Sequence, residues 1–254
     1  MLSKRIIPKL DIKGPNVIKG VRMEGLKIIG DPSELSMQYN NQAADEIVYI
    51  DTVASLYGRN NLHDIVRRVT EQCFVPTTVG GGIRTIENIR TLCRIGADKV
   101  AINTQALKTP TLISEAAQVF GSQAITISIH AKKEKDRWIC YAENGRENTQ
   151  VEVIKWAKEV ERLGAGEILL LSIDQDGTYA GFDLDLIRAV VQSVNIPVVA
   201  AGGAGNVEDV QAVLQIKNVS GVCLSSILHH NRATITDIKQ YLHTHNVPVR
   251  LEAS

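Results

Sequence analysis

Aromatic side chains are scarce in this chain of 254 residues: three Phe, two Trp and six Tyr make up 4% of it. That leaves little to stack on single-stranded nucleic acid, and 28 basic residues balanced by 28 acidic ones leave no basic footprint for a duplex. No nucleic-acid partner is expected. Long apolar runs are missing too. None approaches the roughly 20 residues of a membrane helix, and the basic start leads into a short run broken by Pro8 and Lys9, too brief for a signal peptide. A cytoplasmic protein that does not touch membranes is expected. Cysteine occurs only at positions 73, 93, 140 and 223, never in a paired ligand spacing, and the six histidines show no metal-ligand pattern. Four reduced thiols, no metal and no organic cofactor are the expectation. His229, His230, His243 and His245 fall near or in a polar C-terminal helix and read as solvated.

What the chain does contain is a core's worth of apolar residues, 44% against 22% charged. Its length suits one (β/α)₈ barrel domain spanning 1–254. Short β-branched runs alternate with amphipathic stretches throughout, the pattern of βα units around a parallel sheet. Eight strands are predicted, at 5–10, 47–51, 75–79, 99–102, 124–129, 167–172, 197–201 and 221–224. Between them, Leu62, Ile65, Val66 and Val69, and Leu184, Ile187 and Val191, recur at helical spacing. Pro32, Pro110 and Asp183 fit helix starts.

The second half repeats the first. A shift of 121 residues (165 minus 44) lays Ala44-Asp45-Glu46-Ile47 over Ala165-Gly166-Glu167-Ile168, and Gly81-Gly82 over Gly202-Gly203. A shift of 119 (130 minus 11) lays Leu10-Asp11-Ile12-Lys13 over Ile129-His130-Ala131-Lys132. Two similar halves of four βα units predict a barrel with approximate two-fold symmetry, an α/β TIM barrel rather than an open doubly wound sheet.

That symmetry sorts the candidate site residues. Gly81 with Gly82, and Gly202 with Gly203, follow strands three and seven and free backbone N–H groups to approach an anion. Asn103-Thr104 and Ser225-Ser226 end the next strand of each half, before a helix whose N-terminus favours negative charge. Asp176-Gly177 reads as a turn beside the second of these cradles. Two cradles across one mouth suit an elongated ligand with a phosphate at each end, with the chemistry midway between them. Asp11 and His130, closing strands one and five, meet that condition as an acid–base pair. Lys9 shares Asp11's inward parity and is expected to depress its pKa. Asp51 is a further carboxylate at the mouth, and Lys19, in a long first loop, is a candidate mobile cation over the substrate. At the opposite end, Arg5, Glu46, Lys99 and Glu167 fall near strand beginnings and form a charged ring, either a stability feature or a gate for a small molecule.

Taken together, Lys4-Arg5-Ile6-Ile7-Pro8 leading to Leu10-Asp11, Val79-Gly80-Gly81-Gly82-Ile83-Arg84, Gly96-Ala97-Asp98-Lys99-Val100, the segment 174–178 and Ala201-Gly202-Gly203-Ala204-Gly205 resemble the cyclase subunits of imidazole glycerol phosphate synthase, an enzyme of histidine biosynthesis. The resemblance spans about residues 2–251. It implies a lyase that takes ammonia from a glutaminase (glutamine amidotransferase) subunit docked on the N-terminal face of the barrel. It further implies that ammonia passes the Arg5, Glu46, Lys99, Glu167 ring and meets a bisphosphorylated ribulosyl aminoimidazole carboxamide nucleotide at the mouth. The products would be imidazole glycerol phosphate and aminoimidazole carboxamide ribonucleotide.

The chain departs from the family where the chemistry lies. His130 stands in place of the second of two aspartates, Lys9 replaces a small uncharged residue, and Ala101, Leu171 and Ala201 replace hydroxyl residues inside the barrel. Three readings follow: a working cyclase with Asp11 as base and His130 as acid, a paralogue delivering ammonia to another acceptor such as a sugar converted to an amidine, or a non-catalytic scaffold that activates the glutaminase.

Overall fold

The computed structural model describes residues 3–53, 62–70 and 73–251. Eight parallel strands form its centre: β1 (Arg5–Lys13), β4 (Ile47–Asp51), β5 (Thr77–Gly80), β6 (Lys99–Ile102), β7 (Ile125–Glu134), β10 (Glu167–Ser172), β11 (Val198–Ala201) and β12 (Val219–Leu224). Each hydrogen-bonds to its neighbour in the order β10-β11-β12-β1-β4-β5-β6-β7, and β7 pairs with β10 to close the ring. An open sheet is thereby excluded, and the fold is a (β/α)₈ TIM barrel.

The expected strands were eight, and the structure adds four. β2 (Asn16–Val21) and β3 (Glu24–Gly30) form an antiparallel hairpin that continues β1; β8 (Arg137–Ala142) and β9 (Glu147–Glu152) do the same for β7. The stretch expected to be a mobile first loop is therefore mostly β structure. The hairpins arise where a barrel neighbour runs out. β12 pairs with β1 only as far as Pro8, and β2 takes over at Asp11; β6 pairs with β7 only as far as Ile127, and β8 takes over at His130. Asp11 and His130 thus do not end their strands. They sit at equivalent junctions where a barrel strand rises out of the ring into its hairpin.

Helices cover the outside: α1 (Pro32–Asn41), α2 (Leu62–Thr70), α3 (Ile86–Arg94), α4 (Thr104–Lys108), α5 (Thr111–Phe120), α6 (Val153–Arg162), α7 (Leu184–Ser193), α8 (Val207–Leu214), α9 (Ser226–His229) and α10 (Ile235–Thr244). Their starts follow from local chemistry. Asp31 accepts hydrogen bonds from the Ser33 and Glu34 N–H groups ahead of Pro32, and Asp183 accepts one from Leu186. Pro110 occupies the cap position of α5, its φ of −58° already helical.

Strand alternation divides the core in two. Ile6, Leu10, Ile12, Ile47 and Tyr49 face outward and belong to the buried layer between strands and helices, which also takes in helical residues such as Leu186, Ile187, Val190 and Val191. Ile7, Val48, Leu169, Leu171, Val199, Ala201 and Cys223 face inward and fill the barrel. Each such side chain fully removed from water contributes about 1.5–3 kcal/mol, so a register slip of one residue, which exchanges the two faces, is strongly disfavoured.

Candidate functional site

The charged ring sits at the N-terminal end of the barrel. Arg5 and Lys99 are the first residues of β1 and β6, Glu167 begins β10, and Glu46 immediately precedes β4. The four alternate in sign. Arg5 bridges Glu46 at 2.9 Å and also Glu167, while Lys99 bridges the same two carboxylates at 2.8 and 3.1 Å. Thr78 Oγ1 donates to Glu46 and Arg5 donates to Ser220 Oγ. Each ion thus has two partners of opposite charge, which is what allows four charges to share a half-buried ring.

The mouth holds two glycine-walled cavities. One, of about 250 Å³, is lined by Asp51, Gly81, Gly82, Asn103, Thr104 and His130 among others. The second, of about 20 Å³, is lined by Asp176, Gly177, Gly202, Gly203, Ser225, Ser226 and Lys9. The glycine, amide and hydroxyl residues expected from the repeat separate by half, whereas His130 of the second half lines the first cavity and Lys9 of the first half lines the second. Gly81 (φ +103°) and Gly202 (φ +90°) do the same work in each: the chain passes so close to the preceding strand that a Cβ on Gly81 would meet the Asp51 carbonyl, and one on Gly202 would lie 2.8 Å from Ser172 O. The helices that follow Asn103 and Ser225 are short, five residues in α4 and four in α9, so turn N–H groups rather than a summed helix dipole are what each cradle offers.

Between the cavities runs a chain of buried charges. Lys9 bonds Asp11; Lys19 lies 4.0 Å from the other Asp11 oxygen and donates to both oxygens of Asp176, at 2.8 and 2.7 Å. All four residues are buried. A gap of about 10 Å³ bordered by Asp11, Lys19, Thr52, Asn144 and Asp176 shares Thr52 and Asn144 with the first cavity and Asp176 with the second. Burial works against the charge on Asp11, but Lys9 and then Lys19 outweigh it and hold the carboxyl below its ordinary range. Burial likewise opposes the Lys9 ammonium, and Asp11 and Asp176 overcome it, so Lys9 stays charged. The expected cation beneath the mouth carboxylate is there.

Three features differ from expectation. Lys19 is no solvated loop cation: it is fixed on β2, which lies over the second cavity, with the Arg22 N–H donating to Asp176 O and Met23 packing on the inner core. His130 reaches the mouth, but burial, reinforced by the Lys9 ammonium, lowers its pKa to about 4. It is therefore neutral near pH 7, and among the described residues its Nδ1 has no hydrogen-bond partner. His229 is buried rather than solvated. Its Nε2 can only donate to the Lys9 carbonyl, at 3.1 Å, which leaves Nδ1 to accept from the Tyr39 hydroxyl at 2.6 Å. Ser225 Oγ donates to the same carbonyl at 2.9 Å. Together they fix the strand just before Asp11, where β12 no longer pairs with it. His230, His243 and His245 are exposed, as expected.

Residues missed in the sequence reading come mainly from the second hairpin and the rim. Glu143 and Asn144 border the first cavity together with Arg84 and Lys108. Asn144-Gly145 was the available signal, since that dipeptide marks a tight hairpin turn. Among the described residues no cluster of three or more potential metal ligands occurs, and no helix is long and apolar enough to cross a membrane.

Known proteins match this architecture along most of its length. The sequence profile described as "Histidine biosynthesis protein" matches residues 5–234. The chain is 48% identical to the imidazole glycerol phosphate synthase subunit HisF of Nostoc sp. PCC 7120, over 99% of this chain and 98% of that protein. It is 56% identical to the HisF of Legionella pneumophila over 82% of this chain and 99% of that protein. With the HisF of Hydrogenobaculum sp. it shares 48% identity over 99% of this chain and all of the relative. Barrel, doubled cradles and sequence agree that the chain belongs to the histidine biosynthesis protein family.

Proposed function

We propose that the chain is the cyclase subunit of an imidazole glycerol phosphate synthase, a carbon–nitrogen lyase. In this reading the whole chain acts as one barrel domain in the cytoplasm. A glutaminase subunit docks over the Arg5–Glu46–Lys99–Glu167 ring, and its ammonia travels along the barrel axis. At the mouth the ammonia meets a bisphosphorylated ribulosyl aminoimidazole carboxamide nucleotide and yields imidazole glycerol phosphate and aminoimidazole carboxamide ribonucleotide. One phosphate lies on Gly81, Gly82, Asn103 and Thr104, the other on Gly177, Gly202, Gly203, Ser225 and Ser226. Lys19 turns from Asp176 to the substrate, and Asp51 and Asp176 orient its hydroxyls.

The supporting observation is the position of Asp11, bordering a gap that shares lining residues with both glycine-walled cavities, in a chain closely similar to named HisF subunits. Asp11 acts as the base. Lys9 keeps it ionised and, as an ammonium in contact with it, can return a proton. His130 acts as a neutral imidazole that hydrogen-bonds the substrate, which supplies the partner its Nδ1 lacks.

The test supplies ammonium salt and the bisphosphate substrate to the purified chain and follows loss of substrate absorbance and appearance of imidazole glycerol phosphate. Product is expected from the natural chain. Product from His130→Asp alone would mean that the natural chain is not a working cyclase. Product from neither would leave another acceptor or the scaffold role.

A further inference from the structure

The first-half cavity carries a feature that its partner lacks. Lys108, the last residue of α4, extends along the cavity rim and bonds Glu143 Oε1 at 2.9 Å, with Glu147 at 3.9 Å. Glu143 sits in the turn between β8 and β9, and its backbone N–H donates to Thr104 Oγ1 at 3.0 Å, so its carboxylate is held against the cradle itself. The Glu143 hydrogen bond raises the Lys108 pKa, while Arg84 is near enough to act in the opposite direction. Arg84 and Lys108 therefore converge on a rim that also includes Gly82.

We propose that Lys108, with Arg84 beside it, is a phosphate ligand of the first-half cavity, and that the Glu143 carboxylate holds the phosphate's place while the site is empty. A phosphomonoester carries about −1.5 to −2 charges and three acceptor oxygens. Its three oxygens can meet Lys108 and Arg84 together, whereas Lys108 in the empty site is bonded to Glu143 with Glu147 farther off at 3.9 Å. The β8–β9 turn lies at the surface end of a hairpin, and releasing one half-exposed ion pair costs little. At the corresponding place in the second half the last residue of α9 is His229, buried and bonded to backbone, so only one end of the ligand is gripped in this way. The inference rests on the two-phosphate reading above and names an additional residue for it.

Inorganic phosphate titrated into the full chain, followed by ³¹P NMR and calorimetry, tests it. Lys108→Ala should weaken binding at one site about tenfold, the scale of a lost charge-assisted hydrogen bond, and Lys108→Arg should largely retain it. Glu143→Gln should act in the opposite direction and tighten binding several-fold, because the competing carboxylate is gone. Affinity within twofold of the natural chain in Lys108→Ala, or weakening in Glu143→Gln, overturns the proposal while leaving the cradles intact. No phosphate uptake by the natural chain at tens of millimolar overturns the two-phosphate reading along with it.

Discussion

Asn103 and Ser225, the residues before α4 and α9, share a conformation few residues adopt, φ/ψ of −120°/−86° and −131°/−84°. Gly81 and Gly202 both take positive φ against the strand before them. The two cradles are thus alike in backbone, yet one encloses about 250 Å³ and the other about 20 Å³. What each half receives from elsewhere differs as well. The hairpin β2–β3 is tied down over the second cradle by Lys19 on Asp176 and by the Arg22 side chain, which donates to Asp174 O. Over the first cradle the hairpin β8–β9 contributes Glu143 and Asn144 to the rim and leaves the cavity open. A repeated sequence reproduces torsion angles, which are local. It does not reproduce volume, which depends on long-range contacts.

The largest effect should come from the group between the halves. Asp11→Asn is expected to lower ammonia-dependent turnover about 10³-fold, within the range for a positioned acid–base group. Turnover within tenfold of the natural chain would remove Asp11 as the base and leave the two cradles without a shared chemical centre.

Adding a methyl group to each cradle tests the backbone likeness. Both alanine substitutions force a positive φ on an L-residue and a clash with backbone, but Gly81→Ala drives its Cβ deep into the Asp51 carbonyl oxygen, whereas Gly202→Ala brings it to 2.8 Å from Ser172 O, a milder overlap. Denaturant unfolding should show losses of about 3 kcal/mol for Gly81→Ala and about 2 kcal/mol for Gly202→Ala. The reverse order would mean that the first cradle is the more yielding.

The smallest effect sharpens the contrast between Lys108 and His229 as helix-ending residues. Burial lowers the His229 pKa from 6.5 to about 4. Between those values the unfolded chain binds a proton that the folded chain refuses, so stability is full above pH 6.5 and falls as pH drops toward 4. At pH 5 the loss from this residue is about 2 kcal/mol, and His130, with a similar shift, adds to it. Melting temperatures at pH 7 and pH 5 should differ less in His229→Gln than in the natural chain. An equal difference would show that His229 is not the titrating group. Lys108→Ala should not alter the pH slope.

The sequence showed the eight barrel strands because both faces of each are covered, which leaves uninterrupted runs such as Glu167–Ser172 in β10. It showed the cradles because glycine is required wherever positive φ coincides with a close approach. It did not show the four hairpin strands. Their outer residues are solvated, and Asn16–Val21 turns at Arg22 and Met23, both at positive φ, rather than at the usual Asn-Gly pair. The charged ring was legible as four residues at strand starts. That each cation touches both carboxylates was not.

His229 marks the same boundary from the other side: neighbouring polar residues suggested a solvated face, and a tyrosine 190 positions away completes its hydrogen bonds in the interior. Period, parity and repetition are properties of the chain read along its length, and they determined the barrel, its two halves and which residues face the mouth. Protonation states, ion partners and cavity sizes depend on groups distant in sequence and brought within a few ångströms. Only folding decided that Lys19 would pair with Asp176, that burial would lower the His130 pKa, and that one cradle would be open and the other nearly filled.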